Sequence, residues 1–357
     1  MKVMGKIFLN CFLFLGLLSI LFPVDLSQNS DRLVITDSLN RKVTLPSRVE
    51  RILSLQPEIT RIIVALGGGE KLVGLDYFLH LYDPLFKIAF PKARTLPAVS
   101  ARTAAVNIEM AMRLNPDVIF THPEDFEIPD TLQSKMRKPV LALSSMGSFD
   151  KLLEEMILVG EAIGRSERAR ELIRCFNEKC DRIRSAVALL PKENRPRVYL
   201  SFWGLLNKTP IFYEPVNTAG GINLAEGLLP SALGTIGTVV KLEQILRWNP
   251  DIILIHGNFP PKERVVSVEG ILKDTRLSSV KAVREKRVFY TFGFWNWWDP
   301  AQVLLETLYL ARLFYPSKFQ DLDIEKEGNE IFKKFYGIDN GFTELSEVLK
   351  CDEWLKN

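Results

Sequence analysis

Two stretches of the chain, residues 108–122 and 242–256, carry the same order of apolar and polar positions. Each starts with apolar residues at helical spacing, reaches Asn-Pro-Asp, where the proline ends the helix, and continues as an unbroken apolar run. Such a run is typical of a strand that is buried on both faces of a parallel sheet. Seven of the fifteen positions are identical, including a glutamate near the start and a histidine at the end. The repetition predicts two similar helix–strand units in two similar lobes.

Further apolar runs extend this pattern into two sheets. The predicted strands are residues 51–55, 72–75, 118–121 and 140–143 in the first half, and residues 198–202, 252–255 and 288–292 in the second. Helical segments separate them, as in a doubly wound layer. Between the halves, apolar residues recur at helical spacing over residues 166–190 and predict one long helix. The predicted fold class is therefore α/β, with two Rossmann-like lobes joined by a single long helix.

The chain divides into five predicted segments. A basic start with Lys2 and Lys6, an apolar core over residues 11–22 and a polar exit predict a signal peptide at residues 1–26. No clear Ala-x-Ala site follows it, so an uncleaved membrane anchor stays open as the alternative. The other segments are an N-terminal α/β lobe at 31–150, linking helices at 151–191, a C-terminal α/β lobe at 196–337 and a C-terminal extension, which the core does not need, at 338–357.

Charge and cysteine content narrow the kinds of partner. Lys and Arg number 46 against 43 Asp and Glu, and two of the lysines belong to the predicted leader, so the mature chain is close to neutral. The sequence has no dense basic stripe, which argues against a nucleic-acid partner and favours a small ligand or a protein partner. Cys175, Cys180 and Cys351 follow the leader, and this odd number does not predict a disulfide framework.

Several short motifs occur in an order that resembles the substrate-binding proteins of iron-chelate and cobalamin ABC importers. They include Asp-Ser-Leu-Asn-Arg at 37–41, Gln-Pro-Glu-Ile-Thr at 56–60, Asn-Pro-Asp at 115–117 and again at 249–251, Gly-Gly-Ile-Asn at 220–223 and Ala-Val-Arg-Glu-Lys-Arg-Val at 282–288. The resemblance covers about residues 37–337. It implies a ligand cleft between the lobes and a periplasmic or extracytoplasmic monomer that is not an enzyme. Such a protein binds no permanent cofactor, captures a small-molecule metal complex and delivers it to a permease dimer in the membrane.

The carboxyl ends of the predicted strands give a set of candidate ligand-binding residues, since ligands of open α/β sheets bind there. Arg102, in the loop before the first repeated unit, is added because it could pair with an anionic chelate. The full set is Gln56, Tyr77, Phe78, Arg102, His122, Ser145, Trp203, His256, Phe294, Trp295, Trp297 and Trp298.

His122 and His256 are the leading candidates, because each ends the strand of a repeated unit and both lobes could present an imidazole to one ligand. Direct metal ligation by the two is a further hypothesis, although a transition-metal site requires three or more matched ligands. His80 could be a third ligand. The simpler interpretation is that each histidine is hydrogen-bonded at a strand end and has no further role.

The stretch Phe-Gly-Phe-Trp-Asn-Trp-Trp at 292–298 is the densest aromatic cluster of the chain. Core packing is the default for aromatic residues, but three tryptophans in four positions after a strand are expected to include some that form a flat wall for a planar or bulky ligand. In the cobalamin-binding relatives, this stretch and the end of the Pro-Asp strand supply aromatic ligand contacts. This chain has His122 at the latter place, which argues against cobalamin.

Glu109 and Glu243 form the other matched pair, each near the start of its predicted helix. A carboxylate there also interacts favourably with the helix dipole, and that effect alone could explain both. The resemblance implies a sharper role, in which one glutamate from each lobe docks onto arginines of a two-fold symmetric permease. Matching charges at matching positions are what a two-lobed monomer needs to bind such a partner.

The sequence ranks a ferric siderophore-type chelate first among the ligands. The alternatives are an oxyanion such as molybdate, or a cobalamin, haem or nickel complex. A chelatase-like enzyme is the alternative of another class, and a tethered sensor domain is a third. The leader argues against the enzyme, as does the absence of Gly-x-Ser-x-Gly, His-Glu-x-x-His and Cys-x-x-Cys motifs from the sequence.

Overall fold

The computed structural model describes residues 32–81, 83–100, 105–123, 127–144, 147–202, 206–231, 236–258, 261–292 and 298–351. The predicted signal peptide lies outside these residues. Within the described part of the chain, no helix is both long and apolar enough to cross a membrane.

The first half is built around a four-stranded parallel sheet. A small antiparallel pair, β1 (Val34–Thr36) and β2 (Lys42–Thr44), precedes it. The sheet contains β3 (Ile52–Ser54), β4 (Leu72–Leu75), β5 (Val118–Thr121) and β6 (Val140–Ala142) in the spatial order β4-β3-β5-β6. The helices between the strands are α1 (Pro57–Ala65), α2 (Tyr77–Leu81), α3 (Pro84–Ala89), α4 (Ile108–Leu114) and α5 (Glu127–Met136).

Two long helices follow, α6 (Phe149–Ala162) and α7 (Ser166–Val187). With 22 residues, α7 is about 33 Å long at 1.5 Å per residue. Its buried face consists of residues at helical spacing, namely Ala169, Leu172, Phe176, Cys180, Ile183 and Val187. The predicted long helix is therefore present and begins where expected, but it ends at Val187 and not at Leu190.

The second half repeats the topology of the first. Its strands are β7 (Arg197–Ser201), β8 (Lys208–Pro210), β9 (Ile222–Asn223), β10 (Gly237–Val239), β11 (Ile252–His256) and β12 (Val288–Thr291). The parallel sheet has the order β12-β11-β7-β9, while β8 and β10 form a separate antiparallel pair. Helices α8 (Glu214–Thr218), α9 (Leu242–Trp248), α10 (Val268–Lys273) and α11 (Lys281–Arg284) connect the strands. In both sheets the first strand along the chain, β3 or β7, has the second strand, β4 or β9, on one side. The third and fourth strands follow on the other side of the first strand.

The Asn-Pro-Asp motif has the same structure in both repeated units. Helices α4 and α9 each span seven residues and end at an asparagine in the left-handed conformation, with φ of 42° at Asn115 and 45° at Asn249. Asparagine tolerates that conformation better than most residues. The aspartate of each motif accepts a hydrogen bond from a backbone N–H at the start of the first strand of its sheet. Arg51 N–H donates to Asp117 and Arg197 N–H donates to Asp251, each at 2.9 Å. The predicted α/β class with two parallel sheets and a repeated helix–strand unit is confirmed.

The C-terminal helices complete the core. They are α12 (Pro300–Phe314), α13 (Ile324–Tyr336) and α14 (Gly341–Leu349). Helix α14 packs on α13 and α3, and the main hydrophobic core includes Phe342, Leu345, Leu349 and Cys351. The expectation that the core does not need residues 338–357 is therefore wrong for residues 341–351. The same core contains residues of both halves, so the predicted lobe limits stay predictions.

Removing the Phe342 ring tests the role of α14. The ring is fully buried and lies edge-on to those of Phe292 and Phe332, at 5.5 and 6.0 Å between centroids. Because a cavity would remain, we expect Phe342→Ala to lower the free energy of unfolding by about 3–5 kcal/mol. Val348→Ala, at an exposed position of the same helix, should change it by less than about 0.5 kcal/mol. Chemical denaturation measures both, and an equal effect of the two would show that α14 is an appendage.

Candidate functional site

Each of the two parallel sheets has a point at which the strand order reverses, because successive strands are added first on one side of the first strand and then on the other. Such points form ligand crevices in open α/β sheets. In the first sheet this point lies between β3 and β5, and in the second it lies between β7 and β11. Gln56 follows β3, and His122 directly follows β5. In the second half Phe202 directly follows β7, and His256 is the last residue of β11. The predicted histidines therefore occupy matching positions in the two halves.

Direct contacts connect the carboxyl edges of the two sheets. The backbone N–H of Trp298, beyond β12, donates a hydrogen bond of 2.8 Å to Oε1 of Glu58, in the first turn of α1 beyond β3. The Trp298 ring also lies edge-on to Phe149 at 5.6 Å and to Tyr213 at 6.1 Å. Phe149 begins α6, and its N–H donates to the carboxylate of Glu214 at the start of α8. The segments that follow β3, β6 and β12 therefore contact one another.

Both candidate histidines have lowered basicity. His256 is buried, and its ring centroid is 5.6 Å from that of Phe202. Burial, together with the positive charge of Arg264, lowers the pKa of His256 to about 3. Burial also lowers the pKa of His122, which is half-buried, to about 4. Each imidazole is therefore neutral at physiological pH, with one ring N–H to donate and one lone pair to offer.

The structure changes the interpretation of three other candidates. Trp298 is only 1% exposed and packs against Phe149 and Tyr213, so it is a tryptophan of this stretch that points inward and does not belong to an exposed wall, and its predicted ligand contact stays a prediction. Gln56 is also buried, and its Oε1 accepts a 2.7 Å hydrogen bond from the Ile59 N–H as the N-cap of α1. Phe78 belongs to the main core. Gln56 and Phe78 thus have structural roles, and their predicted ligand contact stays a prediction.

Tyr77 remains the accessible aromatic candidate of the first half. It is partly exposed at the start of α2, and its N–H donates a 3.2 Å hydrogen bond to the Ser100 hydroxyl. The remaining candidates, for which ligand contact stays a prediction, lie outside the described residues: Arg102, Ser145, Trp203, Phe294, Trp295 and Trp297.

Direct metal ligation by His122 and His256 would need a third protein ligand, and the described residues do not provide one. Among the described residues, no group of three or more His, Cys, Asp and Glu side chains is arranged to hold a metal ion. His80 lies on α2 and does not complete such a group. Cys180 and Cys351 are buried free thiols, and Cys175 is a partly buried one.

A buried charge cluster that the sequence did not reveal surrounds Arg61 of α1. Its Nε and Nη2 lie 2.8 and 2.5 Å from Oδ2 of Asp83, and its charge also acts on Asp76 and Asp299. Each of these aspartates accepts backbone N–H groups at the start of a helix: Asp76 at α2, Asp83 at α3 and Asp299 at α12. Burial raises the pKa of Asp76 and of Asp299 to about 6, although Arg61 opposes the shift. The Asp-Pro pairs before α3 and α12 were visible signals of helix starts, but nothing in the sequence indicated their shared partner.

A second buried acidic pair lies next to Trp298. Glu155 of α6 is buried near Glu58, the residue that accepts the Trp298 N–H. Burial raises the pKa of Glu155 well above its usual value, and the negative charge of Glu58 raises it further. A protonated Glu155 therefore avoids two adjacent buried charges.

Glu109 and Glu243 occupy matching surface positions. Each is the second residue of its helix, α4 and α9 respectively, and each is exposed. Glu109 forms an ion pair of 2.6 Å with Arg113, one turn later on the exposed surface. Neither glutamate has a structural role in the core, so both are available to a partner.

Comparison with known proteins gives consistent likenesses. A family model described as periplasmic binding protein matches residues 52–292. The molybdate-binding protein MolA of Haemophilus influenzae is 26% identical over 346 residues, covering 89% of this chain and 94% of that protein. The vitamin B12-binding protein of Vibrio cholerae is 26% identical over 232 residues, covering 62% and 74%.

Solved structures show the same fold at low identity. The structure of Haemophilus influenzae MolA bound to molybdate has a TM-score of 0.73 at 24% identity, covering 86% of this chain and 98% of that one. Helicobacter pylori CeuE in a nickel–histidine complex has a TM-score of 0.71 at 17% identity, covering 88% and 98%.

The Arg61 cluster predicts a pH-dependent effect of Asp299→Asn, which keeps a side chain that can cap α12 but cannot ionise. The pKa of Asp299 is raised from 3.8 to about 6 on folding, so ionisation disfavours the folded wild type as the pH rises through this range. Relative to wild type, the variant should therefore gain about 1 kcal/mol of unfolding free energy between pH 5 and pH 7.5.

Denaturant unfolding at several pH values measures this difference. Asp321→Asn is the control, because Asp321 pairs with Arg182 on the exposed surface. A difference between Asp299→Asn and wild type that is the same at every pH would contradict the prediction.

Proposed function

The chain belongs to the periplasmic binding protein family and is a substrate-binding component of an ABC importer; we propose that its cargo is a small metal-containing anion, in the first place a molybdate-type oxyanion. It is not an enzyme, so the chelatase-like alternative is set aside. We further propose that residues 1–26 direct export as a signal peptide and that the protein acts as a monomer outside the cytoplasm.

The observation that carries the proposal is the pair of neutral imidazoles at matching strand ends. A desolvated tetrahedral oxyanion requires hydrogen-bond donors on several sides, and a neutral imidazole donates one from its ring N–H. His122 and His256 supply one donor from each half, at the sheet edges that the Trp298–Glu58 contact holds together. The relative named for molybdate binding also spans nearly the whole chain, which supports this choice.

A ferric siderophore-type chelate, which the sequence ranks first, becomes the second candidate. The aromatic residues of the 292–298 stretch still favour a bulky or planar ligand. The burial of Trp298 removes one member of the wall that such a ligand would need. Cobalamin ranks lower for two reasons. The vitamin B12-binding relatives cover less of the chain than MolA does, and position 122 is a histidine where cobalamin-binding proteins have an aromatic contact.

A ligand titration followed by tryptophan fluorescence distinguishes these candidates. We expect molybdate to change the emission of the purified mature protein at micromolar concentration, and ferric siderophore, cobalamin and haem to leave it unchanged. Loss of one hydrogen bond to a charged ligand costs about 1.5–3 kcal/mol, so His256→Leu, which removes the donor, should weaken molybdate binding by about ten-fold or more. His80→Leu is the control and should bind as wild type does. A response to ferric siderophore alone would replace the oxyanion by the second candidate.

Docking on the permease is proposed for Glu109 and Glu243, which present one carboxylate from each half. Because arginines of a two-fold partner would be repelled by lysines at these positions, we expect Glu109→Lys with Glu243→Lys to abolish uptake and to leave ligand affinity unchanged. Glu269→Lys is the matched control: Glu269 is similarly exposed and pairs with Lys273 one turn later, as Glu109 does with Arg113. Uptake at the wild-type rate by the double variant would rule out the docking role.

A further inference from the structure

The second half carries a small apolar surface beside Glu243. The described residues include eleven large apolar side chains that are exposed, and three of these, Leu228, Leu229 and Val239, lie on two segments that hydrogen bonds connect. Leu229 is 84% exposed and Val239 is 58% exposed. Single exposed apolar residues are ordinary, but a group of them at one place marks an interaction surface.

Hydrogen bonds hold these residues together. The Ser231 N–H donates to the Gly237 carbonyl at 2.8 Å, and the Val239 N–H donates to the Ser231 hydroxyl at 3.1 Å. The segment that contains Leu228 and Leu229 therefore runs directly into a contact with β10. Within β10 and just after it, Val239 points outward, while the next residue, Val240, is buried in the core. The exposure of Val239 is thus set by strand alternation on a hydrogen-bonded element.

Strand β10, which carries Val239, leads directly into the helix that bears Glu243. Val239 is the last residue of β10, Lys241 is the N-cap of α9, and Glu243 is the second residue of that helix. The first half has a related arrangement, because the exposed Met112 lies three residues, about one turn, after Glu109 on α4. Leu246, the counterpart of Met112 in α9, is half-buried. In the second half, Leu228, Leu229 and Val239 supply the apolar surface that Met112 supplies in the first.

We propose that Leu228, Leu229 and Val239, here named the apolar patch, contact the extracytoplasmic surface of the permease. The inference rests on the proposed docking role of Glu109 and Glu243 and extends it to a hydrophobic contact. An apolar centre with a charged rim is the usual composition of a protein–protein interface. The rim here includes Glu226, Lys241 and Glu243, all of which are exposed. A surface that binds anionic lipid would be rich in Lys and Arg, so the charges favour a protein partner over a membrane.

The test compares variants in binding to the importer's permease dimer, purified in detergent and immobilised. Leu229→Ser with Val239→Ser removes most of the apolar patch at exposed positions, where the fold is not expected to change. We expect the dissociation constant to rise about ten-fold or more, because two buried apolar contacts are lost. Leu189→Ser is the matched control: Leu189 is 95% exposed and lies beyond the end of α7. The control should bind as wild type does.

The outcomes separate this inference from the proposed docking role. If Glu109→Lys with Glu243→Lys abolishes binding while the patch variant binds as wild type does, the apolar patch is overturned and the glutamate docking stands. If the patch variant binds weakly while the charge reversal has no effect, the glutamate docking fails and the patch remains a permease contact. Co-sedimentation of the wild type, but not of the patch variant, with vesicles of phosphatidylethanolamine and phosphatidylglycerol would assign the patch to lipid and overturn the proposal.

Discussion

The buried guanidinium of Arg61 is the interaction on which the positions of both halves depend. A buried charge is costly unless it is paired, and Arg61 is paired with Asp83 and lies near Asp76 and Asp299. The three aspartates accept backbone N–H groups at the starts of helices α2, α3 and α12. One cation therefore lies at the starts of two helices of the first half and of one helix near the end of the chain. The Tyr336 hydroxyl, which donates to Asp299, adds α13 to the same cluster. The starts of α2, α3 and α12 are therefore held relative to each other by electrostatics as well as by apolar packing.

A second contact beside this cluster also connects the two halves. Trp298 directly precedes Asp299, and its N–H is bonded to Glu58, three residues before Arg61 in α1. The core continues through both halves and along α7, so a large hinge motion would expose buried surface. A stiff helix and a shared core allow only small closure around a ligand. If the proposed function is right, the cargo is recognised mainly by groups already in place, and the neutral state of His122 and His256 is important for that reason.

The repeated unit was predictable from the sequence because its signals are local. A proline ends a helix and an apolar run forms a buried strand whatever lies around them. The structure places His122 and His256 at matching ends of the two strands. Three features depended on distant contacts and were missed or misjudged. Arginine and aspartate are rarely buried, so Arg61 and its partners read as surface residues. The run of tryptophans did not show which ring points inward, and Trp298 does. The spacing of Phe342, Leu345 and Leu349 was a helical signal for α14 that the charged residues around it concealed.

The repeat also explains why a glutamate and a histidine recur together. In each half the glutamate begins a seven-residue helix, an asparagine cap turns the chain, and an aspartate fastens the turn to the first strand before the histidine is reached. The exposed carboxylate and the histidine at the strand end therefore belong to one short unit in each half. The two units place a glutamate and a histidine at matching positions of the two halves. A structural repeat alone would need neither residue, because Asn-Pro-Asp and the apolar run suffice to form the unit.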